Sequence, residues 1–374
     1  MDVKAFINQV VEAIKRVPLR CALAAVSGGV DSTTSAVLAR LALGDRLRAV
    51  FMDTGFMRIN EPQSVRDALR DLLPLEIIDL SNEFYSSMMG LADAEEKRLR
   101  FRETFYNALS RIARDYGCDY LVQGTIAPDW IETKGGIKTQ HNVLEQLGID
   151  TASKYGFKLI EPLRELYKDQ VREVARELGI PSLIINRQPF PGPGLSIRAV
   201  GRLTLEKLEL VRRATAIVED ELSGMGLSQW FAAAWEDDSS FNDDLSRAIR
   251  NYGDLEVELF RVRATGVKGD SREYGGIALV RGHVKSWELI YELYDAITTR
   301  SNVTHVIYEL TRRGRGGYFV SIRAVETQDF MTAEVPRLGR ELLMGVAQKL
   351  MRYDEVSAVG FDVTPKPPAT IEYE

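Results

Sequence analysis

Cysteine, histidine and lysine are scarce in this chain. Its 374 residues include two cysteines, Cys21 and Cys118, and three histidines, His141, His283 and His305. The cysteines are too far apart for a CxxC or zinc-ribbon spacing, and no HExxH or paired-histidine pattern occurs, which argues against a transition-metal centre. Cys21 stands in the apolar run CALAAV and is expected to be a buried core thiol; Cys118, between a helix and a strand, is expected to be structural. There are 13 lysines against 35 arginines, so a lysine in a glycine-containing loop stands out. Long hydrophobic runs are also missing, and nothing approaches the roughly 18 apolar residues that span a membrane. The N-terminal MDVKAFINQVVEAIKRV carries Asp2 and Glu12 and predicts an amphipathic helix of the fold, not a signal peptide. A cytoplasmic location without membrane association is expected. Excess positive charge is lacking too: the net charge is -6 and the isoelectric point about 5.5. That argues against nucleic-acid binding as the main role. The small cluster Arg312, Arg313 and Arg315 is expected to be a solvated turn.

What is present is globular composition, 45% hydrophobic and 27% charged, in a chain long enough for two domains. The first half alternates short apolar runs with helical patterns. Strands are predicted at 21–26, 47–53, 75–80, 119–124 and 158–163, and helices at 31–43, 61–73, 94–116 and 168–179. Such alternation predicts a parallel sheet with helices on both faces, and ligands of these sheets bind beyond the carboxyl ends of the strands. At NRQPFPGPGLS (186–196) prolines and glycines end the pattern, as a domain linker would. Beyond it a helix over 204–222 and longer extended runs predict an α+β domain with a mainly antiparallel sheet. The boundaries follow as 1–188 and 189–374.

The residues that suggest chemistry lie after the first strand. Val26-Ser27-Gly28-Gly29-Val30-Asp31-Ser32 joins it to its helix. Two glycines let backbone approach a bulky anion, and their N–H groups and the helix N-terminus face it. Ser27 and Ser32 supply hydroxyls. Asp31 would repel phosphate unless a divalent cation lay between them, so it is assigned to Mg²⁺. The loop is neither a Walker loop nor a GxGxxG turn. An irregular segment, QGTIAPDWIETKGGIKTQHN (123–142), carries Asp129, Glu132, Lys134 and Lys138 and suits a lid that clamps a triphosphate and excludes water.

SGGVDS after the first strand resembles the ATP pyrophosphatases of the adenine nucleotide alpha hydrolase type. Together with QGTIAPDWIE, IKTQHN, PFPGPGL and the terminal KPPATIE, it resembles the GMP synthetase family over most of the chain. The resemblance implies an α/β ATP-pyrophosphatase domain followed by a smaller α+β dimerisation domain. It also implies ATP on Val26–Ser32 and catalytic roles for Asp129, Glu132, Lys138 and Lys168, the last a cation on the phosphate side. Lys366, Ile371 and Glu372, with Lys268, would hold xanthosine monophosphate (XMP). Three positions depart from the family pattern: Gln140 in IKTQHN, Gln188 before Pro189, and Met52-Asp53-Thr54-Gly55 after the second strand. A stretch from about 276 to 317 is longer than the family's usual connection and would either thicken the second domain or form a partner surface.

The resemblance implies ATP-dependent amination of XMP to GMP through an adenylated intermediate, with Mg²⁺, in a homodimer. Many relatives carry a glutaminase domain built on a nucleophilic cysteine; neither cysteine here stands in such an elbow, so ammonia is expected from a separate glutamine amidotransferase subunit. An NAD synthetase-like or other amidating pyrophosphatase is the alternative enzyme. A silent nucleotide-binding regulator is the alternative of another class, opposed by the intact Asp31, Asp129, Glu132 and Lys138.

Overall fold

The computed structural model describes residues 1–129 and 154–374. Two compact units emerge: Met1–Ser87 with Leu99–Gly192, and Met88–Arg98 with Pro193–Glu374. The chain thus changes unit four residues after the position expected from composition, and a short segment of the first half belongs to the second unit.

The first unit is built on five short parallel strands, β1 (Ala22–Ala25), β2 (Leu47–Asp53), β3 (Leu75–Asp79), β4 (Tyr120–Val122) and β5 (Lys158–Ile160), in the order β3-β2-β1-β4-β5. Ala22, Leu23 and Ala24 are buried, as a strand covered on both faces requires. The helices of its first half are α1 (Val3–Lys15), α2 (Val30–Leu43), α3 (Glu61–Leu69), α4 (Ser81–Met88) and α5 (Ala94–Asp115), the last two extending into the Met88–Arg98 segment. Helices α6 (Lys168–Glu177) and α7 (Ser182–Ile185) complete it. Helix α2 is buried from Thr33 to Ala39, its Thr33, Thr34 and Ser35 included, whereas α1 and α6 are amphipathic and pack against it and each other. Helix α4 has no counterpart among the expected elements.

The order reverses between β1 and β4: after β1 the chain adds β2 and β3 on one side, and after β4 it adds β5 on the other. This is a topological switch point, where the loops after the two strands diverge and leave a crevice. Both SGGVDS and the segment leading to Asp129 start there.

Cys21 is not a buried free thiol. It is half-exposed just before β1 and forms a disulfide with Cys118, just before β4, at the end of the sheet opposite the crevice. Adjacent strand starts bring together two thiols 97 residues apart, a pairing that sequence distance concealed.

The second unit has α8 (Leu205–Glu221), β6 (Gln229–Glu236), β7 (Ser239–Phe241), α9 (Asp243–Ala248), β8 (Gly253–Lys268), β9 (Ser271–Val284), α10 (Leu293–Thr298), β10 (Val303–Arg312), β11 (Tyr318–Val325), α11 (Arg340–Leu350) and β12 (Val356–Asp362). Its sheet order is β6-β11-β12-β10-β9-β8-β7. The sheet is mixed: β9/β10 and β11/β12 are parallel and the other pairs antiparallel. The long stretch 276–317 supplies most of β9, helix α10 and all of β10, which sits between β12 and β9. It is part of the sheet's interior.

The arginine cluster is a solvated turn at Arg313 and Arg315, which are half exposed, but not at Arg312, which ends β10 and is largely buried. Arg312 donates to Asp237 (2.5 and 3.1 Å) and Glu309 (2.8 Å), and Arg315 to Glu258 (2.6 Å). Asp237 and Glu258 are buried, so these cations neutralise acids of the sheet.

Candidate active site

The turn after β1 is shaped by its own backbone. Gly28 has φ +83, in the left-handed region that glycine adopts without a Cβ penalty, and an added Cβ there would lie 2.5 Å from an Arg187 nitrogen and 2.6 Å from Val65. Gly29 caps α2 in extended conformation and makes no side-chain cap, so among the described residues no side chain caps this helix start. The hydroxyls of Ser27 and Ser32 lie 3.1 Å apart, Ser32 Oγ also accepts from Ser27 N (3.2 Å) and donates to Gly29 O (3.3 Å), and Gly29 N donates to Ser27 Oγ (3.4 Å). Ser27 is exposed. The result is an open ring of donors at a helix N-terminus, the geometry that favours an anion.

Gly124, just past β4, presses against the start of α2; an added Cβ would stand 2.7 Å from Ser32 N and 2.8 Å from the Asp31 carbonyl carbon. Close backbone approach explains this glycine. Asp129 follows on the same side of the sheet and accepts from Ile126 N through Oδ2 (3.0 Å), closing the turn that begins the segment. Glu132, Lys134 and Lys138 lie outside the described residues.

Lys168 opens α6, far along the chain, yet its Nζ donates to Asp31 Oδ2 at 2.5 Å. The pair is partly exposed, with side-chain accessibilities of 37% and 25%. The other Asp31 oxygen, Oδ1, is buried and without a hydrogen-bond partner among the described residues. A carboxylate beside a helix N-terminus with one oxygen unspent is a donor suited to a hard divalent cation such as Mg²⁺.

Four residues that sequence reasoning missed brace this turn. Arg187 donates to Gly28 O (3.4 Å) and pairs with Glu61, which is 2% exposed and also pairs with Arg58 at 3.1 Å. The Arg58 guanidinium stacks on Phe190, 4.1 Å from the ring centroid. Arg187 and Phe190 lie in the segment read as a linker. No local signal marked Glu61, a glutamate at the head of a polar helix; only the fold shows that it is buried and which cations reach it.

The expected XMP residues lie in the second unit. The tail after β12 is pinned along its length: Lys366 exchanges backbone hydrogen bonds with Ala333 (2.8 and 3.0 Å), Val267 N donates to Pro368 O (2.8 Å) and Thr265 N to Tyr373 O (2.8 Å). The Lys366–Pro367 and Pro367–Pro368 peptides are cis. Lys366 Nζ donates to Phe330 O (2.5 Å). Lys268, at the tip of the β8–β9 hairpin, is exposed and pairs loosely with Glu273 at 3.6 Å. It borders a small hollow with Pro368, Asn302 and Thr304. Ile371 is buried in the core of the unit. Glu372 accepts a fork from buried Arg198 (3.0 and 2.8 Å) and a bond from Gln229 (3.1 Å), so its carboxylate is already engaged within the fold. Tail and hairpin tip are thus brought together.

Beneath the tail lies a buried charge network. Asp362 faces His305 Nδ1 at 2.7 Å, accepts from Tyr373 OH at 2.8 Å and pairs with Arg323 at 3.3 Å, while Arg323 also donates to the carbonyls of Thr364, Thr370 and Ile371. Burial raises the Asp362 carboxyl, but Arg323 and His305 outweigh it and bring it down to about 2.

A parallel α/β sheet with an anion-facing glycine turn at its switch point is an ATP-pyrophosphatase-type architecture. A sequence model of the NAD synthase family matches residues 2–192, and one of the GMP synthase C terminal domain matches 313–373. The B-type subunit of the glutamine-hydrolyzing GMP synthase of Sulfurisphaera tokodaii is 48% identical over all of this chain and 99% of its own. Its counterpart from Saccharolobus solfataricus is 49% identical over 94% of each chain. Among solved structures, an NMN synthetase from Francisella tularensis aligns with TM-score 0.40 and 18% identity, over 56% of this chain and 85% of that one. The chain belongs to the family of B-type subunits of glutamine-hydrolyzing GMP synthase. None of its described helices is long and apolar enough to cross a membrane.

Proposed function

We propose that the chain catalyses the ATP-dependent amination of XMP to GMP, with ammonia delivered by a separate glutamine amidotransferase subunit. The observation that carries this reading is the convergence of Lys168 and Asp31 on the glycine turn at the sheet's switch point. The β- and γ-phosphates of ATP would lie on the N–H groups of the turn and the hydroxyls of Ser27 and Ser32, with Lys168 as a mobile cation on the phosphate side. Asp31, through its unspent Oδ1, would hold Mg²⁺, which when bound neutralises phosphate charge. The XMP O2 attacks the α-phosphorus; the new O–P bond forms as the α–β bridge breaks and pyrophosphate leaves. Ammonia then attacks C2, the C2–O2 bond breaks, AMP departs with the oxygen, and nitrogen loses a proton. Adenylation is needed because the carbonyl oxygen is otherwise a poor leaving group. Asp129, Glu132 and Lys138 would shield that adenylate from water.

In the second unit, Lys366 and Lys268 would bind XMP, Lys366 on its phosphate, with Ile371 and Glu372 alongside. The rigid pinning of the tail supports this, since a fixed contact loses little entropy on binding. The same unit would form the homodimer, and the enzyme would work in the cytoplasm.

The test is a product assay on the purified chain with ATP, Mg²⁺, XMP and either ammonium or glutamine. Ammonium should give GMP, AMP and pyrophosphate in equal amounts, and glutamine alone should give none. The NAD synthase match to the first unit makes deamido-NAD the control substrate. Turnover of deamido-NAD in place of XMP would overturn the assignment, as would pyrophosphate release that ignores XMP.

A further inference from the structure

We propose that Arg187 is a positioning residue that locks the Gly28–Gly29 peptide in the orientation required for phosphate binding. The inference rests on the reading of that turn as the pyrophosphate cradle and goes beyond it. A peptide between two glycines is unusually free to flip, because neither neighbour carries a Cβ to oppose it. In a trans peptide the C=O of one residue and the N–H of the next point in opposite directions. Whichever way the Gly28 oxygen points, the Gly29 N–H points the other way. Arg187 Nη1 donates to Gly28 O at 3.4 Å, and Gly29 N donates toward Ser27 Oγ at 3.4 Å, on the side of the Ser27–Ser32 hydroxyl pair. A flip would remove a donor from the cradle and put a carbonyl oxygen against the anion.

Arg187 can act as such a lock because it is itself fixed. Its Nη2 pairs with Glu61, whose carboxylate is 2% exposed and is shared with Arg58. Glu61 accepts further from Arg58 N at 2.9 Å through Oε2. Arg58 in turn stacks on Phe190, three residues beyond Arg187. The guanidinium fork therefore divides its work: one nitrogen is anchored on a buried carboxylate and the other grips the turn. Lysine carries its three donors on one nitrogen and lacks the two separated nitrogens of the planar fork, so it does not reproduce this divided grip.

The test separates gripping the turn from merely neutralising Glu61. Pyrophosphate with Mg²⁺, and separately ATP, are titrated calorimetrically into full-length wild type, R187K, R187A and the double variant E61Q/R187A, with thermal midpoints recorded in parallel. R187A should weaken pyrophosphate binding about tenfold or more, the loss of one charge-assisted hydrogen bond. R187K should weaken it to a similar degree while holding its thermal midpoint closer to wild type. In R187A the Glu61 carboxylate keeps its pair with Arg58, whereas the double variant takes that partner from the nearly buried Arg58; the double variant should therefore be the less stable of the two and should not recover affinity. Pyrophosphate affinity restored in the double variant, or unchanged in a folded R187A or R187K, overturns the proposal. A wild-type Kd that does not respond to S27A shows instead that the turn is not the cradle, which is a failure of the underlying reading and distinguishable from failure of the lock.

Discussion

Lys168 Nζ and Asp31 Oδ2 stand 2.5 Å apart across 137 residues of sequence. The contact joins the first turns of two helices, so their N-terminal ends face one crevice. On the proposed reading this ammonium is a cation in reserve: an arriving triphosphate would compete for Lys168 and leave Asp31 free for a metal ion.

Replacement of Lys168 by Met should lower the rate of XMP-dependent pyrophosphate release by about 10²–10³, the usual cost of removing one charge aimed at a transition state. Asp31→Ala should abolish the same release. The pair is partly exposed, so the thermal midpoint should change little in K168M. Stopped-time pyrophosphate assays at saturating ATP, with scanning calorimetry alongside, check both statements.

Gly124→Ala tests the close approach at the switch point. The intruding methyl would meet backbone of Asp31 and Ser32, at 2.7–3.0 Å, with no flexible side chain to yield. The variant should lose about 1–3 kcal/mol of stability and bind ATP more weakly. Denaturant unfolding and nucleotide titration measure the two effects.

A second test concerns the buried pair Lys97–Glu374, 2.5 Å apart with side chains 0% and 2% exposed. Burial lowers the Lys97 ammonium against the pull of Glu374, and burial raises Glu374 against the pull of Lys97. Lys97→Met leaves a carboxylate stranded and should destabilise by about 3–5 kcal/mol. The double change Lys97→Met with Glu374→Gln should recover a large part of that, as read by chemical denaturation.

Acid stability should depend on Asp362. Its carboxyl is lowered from 3.8 to about 2 in the folded chain. The folded state then binds fewer protons than the unfolded one in this window, so the contribution is fully present above about pH 4 and disappears as pH falls through 2. Its size is on the order of 2 kcal/mol. Unfolding free energies of wild type and Asp362→Asn between pH 5 and 2 should converge toward the acid end; parallel curves would contradict the linkage.

Much of the first unit was legible in the residues. Apolar runs such as LRAVFMD sit in β2 with the bounds periodicity suggested, and α2 starts one residue from the expected place. A strand buried on both faces must be apolar throughout, and a helix must end at a residue like Gly44, so these elements are written in local chemistry. The glycine turn was legible for the same reason: left-handed backbone and an uncapped helix start belong to a few consecutive residues. Lys168 was found through its motif, but nothing local said which carboxylate it would meet.

The sequence alone determined where the strands and the longer helices of the first unit lie, that a glycine turn follows the first strand, and that the tail carries a lysine between prolines. Only the tertiary structure decided what meets what: the Cys21–Cys118 bond, Arg187 on Gly28, β10 inside the second sheet, and Arg198 on Glu372. The physical reason is range. Backbone preference and hydrophobic period act over a few residues, whereas a buried charge or thiol finds its partner through the packing of elements a hundred residues apart.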